Sequence, residues 1–385
     1  MMLDFPLPND EAQKHSDCLH QLIIDRIDAA GGYVSFSDYM NWVLYEPGLG
    51  YYSGGATKLG KSGDFITAPE MGTLFGKSLA RAIKPLFYQT GHQILEVGAG
   101  TGRLAETLLA EWDALGVPLD QYYILDLSGE LRQRQQKRLA VRKRIKWLNT
   151  LPEHFSGVVI ANEVLDAMPV KLACLKQGIW YERCVTHQQG HFCFEDRLAS
   201  PAFLSQLHTS LSSIDITTLP DNYVTEIHPY ALGFIQSLAT IMKSNPSAVV
   251  LIDYGYSACE YYLPDRSEGT LICHYRHRVH DDCFFLPGLQ DVTAHLNFTA
   301  LAETARNSGL DVLCYATQAQ FLTALGFMDV FSEQDNKGAK HAALVQEAIT
   351  LLSSAEMGEL FKVIILGHGV VPTETMIQID HSGRL

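Results

Sequence analysis

The sequence predicts an α/β fold with a mostly parallel sheet, a helical region at the N-terminus and a small inserted β/helical subdomain. A short apolar strand at 93–96 is followed by a glycine-rich turn that ends at Gly102, and then by apolar residues at helical spacing. A strand, a glycine turn and a helix in this order begin a doubly wound, Rossmann-like domain that binds nucleotides. Helices alternate with the strands that the pattern predicts at 93–98, 121–126, 145–149 and 157–162.

Residues 12–90, which precede this domain, are predicted to be mainly helical. A first helix covers 18–30, where apolar residues recur at helical spacing until two glycines end it. A second helix begins after the capping residue Ser35, and a third covers 71–87.

After residue 169 the sequence pattern predicts a subdomain inserted into the core, followed by the remaining strands of the sheet. Residues 171–195 resemble a short antiparallel meander, a helix is predicted over 225–243, and 255–296 is predicted to be a long irregular segment of the kind that forms lids. Three further strands complete a seven-stranded sheet, at 248–253, 311–317 and 362–366, and the remaining helices are predicted at 297–307, 319–326 and 338–355.

The spacing of the glycine turn indicates its ligand. The dinucleotide fingerprint is G-x-G-x-x-G/A, but here the sixth position is Arg103. The pattern is instead Glu96-x-Gly98-x-Gly100-x-Gly102, which resembles the first motif of class I methyltransferases, and these bind S-adenosylmethionine (SAM). In that family the turn lies against the amino-acid part of SAM, and the acidic residue helps to orient it. The alternative is an ordinary glycine-rich turn in a Rossmann-like domain with another ligand.

Two further strand ends predict contacts with the cofactor. Asp126 is placed to accept hydrogen bonds from both ribose hydroxyls, or alternatively to help cap the helix that opens at Ser128. Asn149 ends the next strand, where class I methyltransferases often meet the adenine, or it is simply a turn residue. The predicted domains are a helical cap region at 1–90, a SAM-binding core at 91–170 and 245–385, and an inserted substrate or partner subdomain at 171–244.

The composition excludes several classes of protein. Hydrophobic residues make up 47% and charged residues 19% of the 385 residues, which is typical of a globular chain. No apolar run is long enough to span a membrane, and the acidic N-terminus lacks the features of a signal peptide or mitochondrial presequence, so we expect a cytoplasmic protein. A net charge of −14 argues against a protein that coats nucleic acid and is compatible with a cationic substrate.

One stretch has the opposite charge. Residues 132–146 contain eight Lys or Arg, which is typical of an RNA-contacting patch. No aromatic residue lies between these basic residues, so the stretch offers no ring on which bases could stack. The favoured alternative to an RNA-contacting patch is the solvated outer face of a helix.

Four groups of segments together narrow the family. The set resembles the MidA-like family of SAM-dependent methyltransferases, whose mitochondrial members assist the assembly of respiratory complex I, and the resemblance covers nearly the whole chain. The segments are Phe36-Ser-Asp-Tyr-Met40 with Leu44-Tyr-Glu-Pro-Gly-Leu-Gly-Tyr-Tyr52; Gly63-Asp-Phe-Ile-Thr-Ala-Pro-Glu70 with Phe75-Gly76; Ala161-Asn-Glu-Val-Leu-Asp-Ala-Met-Pro-Val170; and Leu251-Ile-Asp-Tyr-Gly255 with Gly269-Thr-Leu271, His277-Arg278 and Gln290-Asp-Val-Thr-Ala-His295.

The resemblance implies methyl transfer from SAM to arginine of a protein, which in the mitochondrial members is symmetric dimethylation of a complex I core subunit. Two features depart from the family pattern. Asp126 stands where Glu is expected in many members, and the chain lacks an organelle-targeting extension, which favours a bacterial protein.

Methylation of a guanidinium requires acidic residues beside the methyl donor. The guanidinium is always protonated and is a poor nucleophile, and a paired carboxylate can orient it and localise its charge. In a class I fold this place is the end of the fourth strand. Glu163 is therefore the first candidate to bind the guanidinium and Asp166 the second, with Asn162 near the methyl group. The alternative for Asp166 is a residue that starts a helix.

Other segments supply further candidates. The loop that contains Gly63, Asp64, Thr67, Pro69 and Glu70 is predicted to fold over SAM, and a purely conformational loop is the alternative. A second set is predicted to line the substrate side of the crevice at the strand ends, or to form a lid over it: Asp253, Tyr254, His277, Asp291 and His295. Cys and His are frequent between 273 and 283, but their spacing fits no standard zinc pattern, so no metal site is predicted.

Two other functions compete with the enzyme. One is a SAM-binding assembly factor without necessary catalysis, which would bind its partner through 171–244 or the N-terminal helices. The other is an RNA or small-molecule methyltransferase, for which the basic stretch at 132–146 is the only sequence support for RNA.

Overall fold

The structure is a computed structural model that describes residues 5–54, 67–211, 214–334 and 338–385. Two predicted site residues, Gly63 and Asp64, lie outside the described residues. The chain divides into two compact units. Unit 1 comprises Met1–Phe65, Asp166–Ala231 and Ala258–His295, and unit 2 comprises Ile66–Leu165, Leu232–Ser257 and Leu296–Leu385. These bounds differ from the predicted domain boundaries, whose functional assignment stays a prediction.

Strands occur throughout the described residues. In chain order they are β1 (Val34–Ser35), β2 (Gln93–Val97), β3 (Gln121–Leu125), β4 (Ile145–Leu148), β5 (Val158–Asn162), β6 (Lys171–Lys176), β7 (Ile179–Gln188), β8 (His191–Leu198), β9 (Tyr223–Ile227), β10 (Ser247–Tyr256), β11 (Leu271–Tyr275), β12 (Arg278–His280), β13 (Asp291–Ala294), β14 (Leu296–Asn297), β15 (Asp311–Thr317) and β16 (Phe361–His368).

Helices separate many of these strands. They are α1 (Asp10–Ala29), α2 (Phe36–Tyr45), α3 (Ala68–Met71), α4 (Leu74–Phe87), α5 (Arg103–Leu115), α6 (Gly129–Arg138), α7 (Pro201–Ser210), α8 (Pro229–Met242), α9 (Ala258–Tyr261), α10 (Phe298–Asn307), α11 (Gln318–Ala324), α12 (Phe327–Ser332), α13 (Gly338–Leu352), α14 (Met357–Leu360) and α15 (Glu374–Ile379). Within the described residues, none of them is long and apolar enough to cross a membrane.

The sheet of unit 2 has the order β15–β16–β10–β5–β2–β3–β4, and the short β14 also pairs with β10. Five of these strands are parallel to one another, namely β10, β5, β2, β3 and β4. Strand β16 is antiparallel to both β10 and β15. The predicted α/β fold is therefore confirmed, and each of the seven predicted strands lies in this sheet. Because these five strands are parallel to one another, their carboxyl ends meet at one edge, which is where ligands bind in such sheets.

Apolar residues fix the core of unit 2. Strand β5 is buried on both faces, and its residues Val158 and Ile160 are fully inaccessible to solvent. Burying such a side chain contributes about 1.5–3 kcal/mol, so a strand of this kind is stable only inside a doubly covered sheet. Helix α5 buries Leu104, Leu108 and Trp112 at helical spacing, which holds the helix after the glycine turn in place.

Unit 1 contains two smaller sheets. The first has the order β1–β7–β6–β9, with β8 added to β7, and its strand pairs are antiparallel. The second is the three-stranded series β12–β11–β13. The predicted meander is confirmed, since β6, β7 and β8 join through turns at which Gln177 and Gln189 adopt positive φ.

Three predictions of local structure were wrong. The helix predicted to begin at 225 begins at Pro229, because the buried, β-branched run before it forms strand β9 against β6. Residues 255–296 are not irregular throughout, since β11, β12 and β13 lie there. The first helix begins at Asp10, eight residues before the predicted start, and Asn9 caps it by accepting a hydrogen bond from the Ala12 amide.

Candidate functional site

The glycine turn that joins β2 to α5 needs glycine at three positions. Gly98, Gly100 and Gly102 have φ of 66°, 53° and 82°, a left-handed conformation that other residues rarely adopt. A methyl group in place of a hydrogen at Gly98 would lie 2.7 Å from Val164 Cγ2, so the turn is also closely packed. Gly102 caps α5 without a side-chain hydrogen bond, which leaves the first amides of this helix to other acceptors.

Glu96 lies in β2, one strand residue before the turn, and is 2% exposed. Its Oε2 accepts a hydrogen bond of 2.8 Å from the hydroxyl of Tyr122 in β3. Burial raises the pKa of Glu96 to about 7, with the charge of Asp126 adding to the rise and the Tyr122 hydrogen bond opposing it. Glu96 therefore gains or loses its charge near neutral pH.

Asp126 follows β3 at the same edge of the sheet. Its Oδ1 accepts a hydrogen bond of 2.9 Å from the Ser128 amide, and its Oδ2 accepts one of 2.7 Å from Nε2 of Gln135. Ser128 itself caps α6. Burial raises the pKa of Asp126, whereas both hydrogen bonds lower it. These contacts show that Asp126 holds the turn before α6, and its contact with the ribose stays a prediction. Asn149 is exposed, and its Oδ1 accepts a hydrogen bond of 2.6 Å from Arg132.

Glu163 follows β5 in a left-handed conformation with φ of 53°. Its Oε1 accepts a hydrogen bond of 2.9 Å from Asn162 Nδ2, and its Oε2 accepts one of 3.2 Å from the Tyr254 hydroxyl. The amide of Ala68 also donates to this carboxylate. A residue other than glycine in this conformation costs of the order of 1 kcal/mol, so the surrounding contacts must hold it.

Burial raises the pKa of Glu163 to about 8, and the charge of Asp253 adds to the rise. The hydrogen bonds from Asn162, Tyr254 and Ala68 oppose it. Glu163 as a whole residue is half-buried. In the free protein at neutral pH this carboxyl group is therefore mostly protonated, and a cation bound beside it would lower its pKa and favour the carboxylate.

The short helix α3 belongs to the loop that was predicted to fold over SAM, and it contacts both the glycine turn and Glu163. Glu70 accepts a hydrogen bond from the Thr101 hydroxyl of the glycine turn, and Ala68 donates to Glu163. Thr67 is the N-cap of α3 and Pro69 lies in its first turn, which is a favourable position for proline. Hydrogen bonds thus join α3, the glycine turn and the end of β5.

Comparisons with known proteins identify the family. Residues 74–316 match the family described as "Putative S-adenosyl-L-methionine-dependent methyltransferase". The chain belongs to this family. It is 42% identical to a Burkholderia thailandensis protein whose crystal structure contains S-adenosylhomocysteine, with 99% of this chain and 100% of that chain covered and a TM-score of 0.92. The predicted family of SAM-dependent methyltransferases is confirmed, and SAM is the cofactor.

Curated relatives of this family member are more distant. The mitochondrial protein arginine methyltransferase NDUFAF7 of Xenopus tropicalis is 27% identical, over 92% of this chain and 88% of that protein. Its counterpart in Homo sapiens is 26% identical, over 87% of this chain and 80% of that protein.

The residues at the sheet edge fit the cofactor of this family. Asn162 Oδ1 is buried and has no hydrogen-bond partner in the described part of the chain, so it is available to a donor such as the amino group of SAM. The amides at the start of α5 suit a carboxylate. Among the described residues, no group of three or more His, Cys, Asp or Glu could hold a metal ion.

Asp253 and Tyr254, which were predicted to line the substrate side, lie in β10 beside β5. Asp253 is 1% exposed, and its Oδ2 accepts hydrogen bonds from the amides of Val164 and Leu165, at 3.3 and 3.0 Å. Asp253 thus shapes the turn after β5. Tyr254 points its hydroxyl at Glu163.

The other predicted residues belong to unit 1. Asp166 lies in a turn, where its Oδ1 accepts a hydrogen bond from the Ala167 amide. Asp291 Oδ2 accepts one of 2.9 Å from the Tyr52 hydroxyl. His277 is exposed in the hairpin between β11 and β12, and the His295 amide donates to Thr270 Oγ1. A role in substrate binding stays a prediction for all four.

Sequence reasoning missed Gln135 and Val164. Gln135 is fully buried on α6, between Leu131 and Leu139 at helical spacing. A polar residue on the apolar face of an otherwise charged helix was the available signal. Val164 carries no chemical signal, and only the fold brings it against Gly98.

Three of the eight basic residues at 132–146 pair with acidic side chains, and Arg144 donates to the Leu119 carbonyl. Arg134 pairs with Glu130 along α6, and Arg138 pairs with Glu106 over 3.2 Å. Arg142 pairs with Asp113. Exposed pairs of this kind add little stability, but they reduce the positive charge that RNA would contact.

Proposed function

We propose that this methyltransferase transfers a methyl group to an arginine side chain of a protein. The observation that carries the proposal is the Glu163 carboxyl group, held at the ligand edge of the sheet by Asn162, Tyr254 and Ala68. The names of the curated relatives support the same substrate class. The family resemblance extends the proposal to a subunit of the respiratory complex I type and to symmetric dimethylation.

The chemistry of arginine requires such a group. A guanidinium is planar, cationic and rich in N–H donors, so a carboxylate binds it through two parallel hydrogen bonds. Pairing at one edge orients the opposite nitrogen and localises positive charge away from it. SAM supplies the activated methyl group. The protein must then hold the nitrogen in line at contact distance, which is a matter of positioning.

The ionisation of Glu163 suits this task. With a pKa of about 8 the carboxyl group is mostly protonated at neutral pH when no substrate is bound, so the protein then buries no unpaired charge there. A guanidinium favours the carboxylate form, and its binding therefore releases a proton. Substrate binding should weaken as the pH falls below about 8.

The remaining predicted residues take supporting roles in the proposal. Glu96 and the glycine turn bind the methionyl part of SAM, Asp126 binds the ribose, and Asn149 lies near the adenine. Segment 67–70 closes over the cofactor. Asn162 lies near the methyl group, and Asp166 is the second candidate for the guanidinium.

The test uses a purified complex I-type core subunit and radiolabelled SAM. Label should enter arginine, as mass spectrometry of the digested subunit would reveal, and the same spectra distinguish monomethyl from dimethyl products. Glu163→Gln should abolish labelling while calorimetry still detects SAM binding. Glu153→Gln, at an exposed site of unit 2, is the matched control and should behave as the wild type. Unchanged labelling by Glu163→Gln would exclude the proposed role of Glu163.

A SAM-binding assembly factor is the second candidate, and the resemblance to a family whose mitochondrial members assist the assembly of respiratory complex I motivates it. Complementation of a deletion strain separates it from the enzyme. If the Glu163→Gln variant restores growth fully while it transfers no methyl group, the assembly role is the essential one.

A further inference from the structure

Gln135 joins three segments of the candidate cofactor site. It lies on α6, is fully buried, and makes hydrogen bonds with all of its polar atoms. Its Nε2 donates to Gly100 O over 3.0 Å and to Asp126 Oδ2 over 2.7 Å. Its Oε1 accepts a hydrogen bond of 3.0 Å from Trp147 Nε1 in β4. One amide therefore connects the glycine turn, the end of β3 and strand β4.

These partners allow only one orientation of the amide. The indole N–H of Trp147 can only donate, so the Gln135 oxygen must face it. The carbonyl oxygen of Gly100 can only accept, and so can Asp126 Oδ2 when Asp126 is ionised. The NH₂ group of Gln135 must therefore face both. No other side chain of this size provides two donors and an acceptor in one plane. A carboxylate at this position would repel Asp126, and an apolar side chain would leave Trp147 and Gly100 without partners.

We propose that Gln135 is a positioning residue that orients the Asp126 carboxylate for the ribose hydroxyls of SAM and couples it to the glycine turn. The proposal rests on the proposed contact between Asp126 and the ribose. The Ser128 amide donates to Asp126 Oδ1, and Gln135 Nε2 donates to Oδ2. Two donors to two different oxygens determine the plane of the carboxylate. The remaining lone pairs of both oxygens then have set directions.

The packing of α6 against the turn supports this coupling. A methyl group at Gly102 would lie 3.4 Å from Gln135 Cα, so the helix backbone passes directly beside the turn. A shift of α6 would move Gly100 and Asp126 together. We therefore expect the two halves of the cofactor site, for the methionyl group and for the ribose, to respond jointly to changes at Gln135.

Calorimetry with two ligands tests the proposal. The probes are S-adenosylhomocysteine and its 2′,3′-dideoxy analogue, which lacks both ribose hydroxyls. Gln135→Met retains the volume of the side chain but removes its donors. It should bind S-adenosylhomocysteine about tenfold more weakly, as expected for a lost hydrogen bond to a charged group, and the analogue only about twofold more weakly, because the analogue depends on the glycine turn but not on Asp126. KM for SAM should rise while kcat changes by less than about twofold.

Two further variants complete the test. Gln136→Met is the matched control, because this neighbouring glutamine is exposed on the same helix, and it should change neither affinity. Trp147→Phe removes the bond to Gln135 Oε1 while Gln135 itself remains, and it should weaken the preference for the ribose hydroxyls in the same direction but less. It provides the readout if Gln135→Met does not fold.

The outcomes distinguish the role of Gln135 from the proposed contact between Asp126 and the ribose. Equal losses of both ligands by Gln135→Met and by Trp147→Phe, or no loss, would overturn the role of Gln135. Asp126→Asn should remove the preference for ribose hydroxyls. If it does not, the contact between Asp126 and the ribose is wrong and the role of Gln135 falls with it. If Asp126→Asn removes the preference and Gln135→Met preserves it, only the role of Gln135 is wrong.

Discussion

The Tyr254 hydroxyl donates a hydrogen bond of 3.2 Å to Glu163 Oε2. The two residues follow paired positions of parallel strands, since Ile252 of β10 lies opposite Asn162 of β5. The Tyr254 ring also packs on Phe361, with ring centroids 4.2 Å apart. The ring of Tyr254 is thus held by Phe361, and its hydroxyl contacts Glu163.

Tyr254→Phe should therefore shift the pH profile of methyl transfer. The hydrogen bond lowers the pKa of Glu163, so its loss raises that pKa and leaves less carboxylate at neutral pH. We expect kcat/KM for the protein substrate to fall about two- to tenfold at pH 7 and to recover at high pH. Tyr88→Phe, at an exposed tyrosine of unit 2, is the control. A uniform fall at every pH would contradict the proposed link through ionisation.

Glu163→Gln should stabilise the protein at alkaline pH. The pKa of Glu163 is about 8 in the folded protein and near 4.5 in the unfolded chain, so between these values the folded state binds more protons. The free energy of unfolding of the wild type therefore declines as the pH rises from about 4.5 to 8, and the glutamine variant lacks this decline. At pH 9 the variant should be more stable by about 1–3 kcal/mol, whereas near pH 4.5 the two should differ little.

Urea unfolding at several pH values measures this difference. Glu153→Gln, where the side chain is exposed, should follow the wild type at each pH. A difference between Glu163→Gln and wild type that does not vary with pH would show that Glu163 ionises normally in the folded protein. Higher stability together with lost methyl transfer is the expected trade-off at a functional carboxylate.

Local sequence signals predicted the parallel sheet well. Strand β5 is an uninterrupted apolar run, and the glycine turn after β2 has a fixed spacing. Each can therefore be recognised from a window of about ten residues of sequence. Strand β9 was predicted as helix because an apolar run of this length fits either structure, and only its pairing with β6 decides. The hairpin between β11 and β12 was missed because Arg276 and His277, rather than glycines, adopt its left-handed conformations.

The candidate site shows the same division. Glu163 was chosen as the first candidate because polar residues at the ends of parallel strands mark the ligand edge of such sheets, and its role stays a prediction. The contacts of Asp253 with the amides of Val164 and Leu165 could not be read from the sequence, since they join residues about ninety positions apart. Gln135 is similar: its partners lie on three separate segments, and no spacing rule relates them.

Glu347→Ala should destabilise the start of α4. Glu347 lies on α13, and its Oε1 accepts a hydrogen bond of 2.7 Å from the Leu74 amide. The amides of Thr73 and Phe75 donate to the same carboxylate, and Thr73 provides no side-chain cap of its own. The distant glutamate thus acts as the N-cap of α4. Its loss should cost about 1–2 kcal/mol of unfolding free energy.

Urea unfolding of Glu347→Ala and Glu347→Gln measures this cap. The glutamine retains an acceptor oxygen and should recover part of the loss, and Glu359→Ala, at an exposed site, should change the free energy of unfolding by less than about 0.5 kcal/mol. If Glu347→Ala resembles Glu359→Ala, then water satisfies the amides at the start of α4 equally well.

Gly98→Ala should disrupt the glycine turn through two separable effects. The first is the left-handed φ of 66°, which costs a residue with a side chain about 1 kcal/mol. The second is the contact with Val164 Cγ2, which a methyl group at Gly98 would approach to 2.7 Å. Because both the turn and the segment after β5 border the candidate cofactor site, we expect affinity for SAM to fall by at least tenfold.

A glycine at the other end of α5 separates these effects. Gly116 has a φ of 65° and no atom within 4 Å of the position that a methyl group would take, so Gly116→Ala introduces only the backbone strain. The excess loss of stability in Gly98→Ala over Gly116→Ala then measures the contact with Val164. Adding Val164→Ala to Gly98→Ala should recover much of that excess, since it removes the colliding methyl group. Equal losses in Gly98→Ala and Gly116→Ala, with no recovery in the double variant, would show that the turn moves to accommodate the side chain and that Val164 does not constrain it.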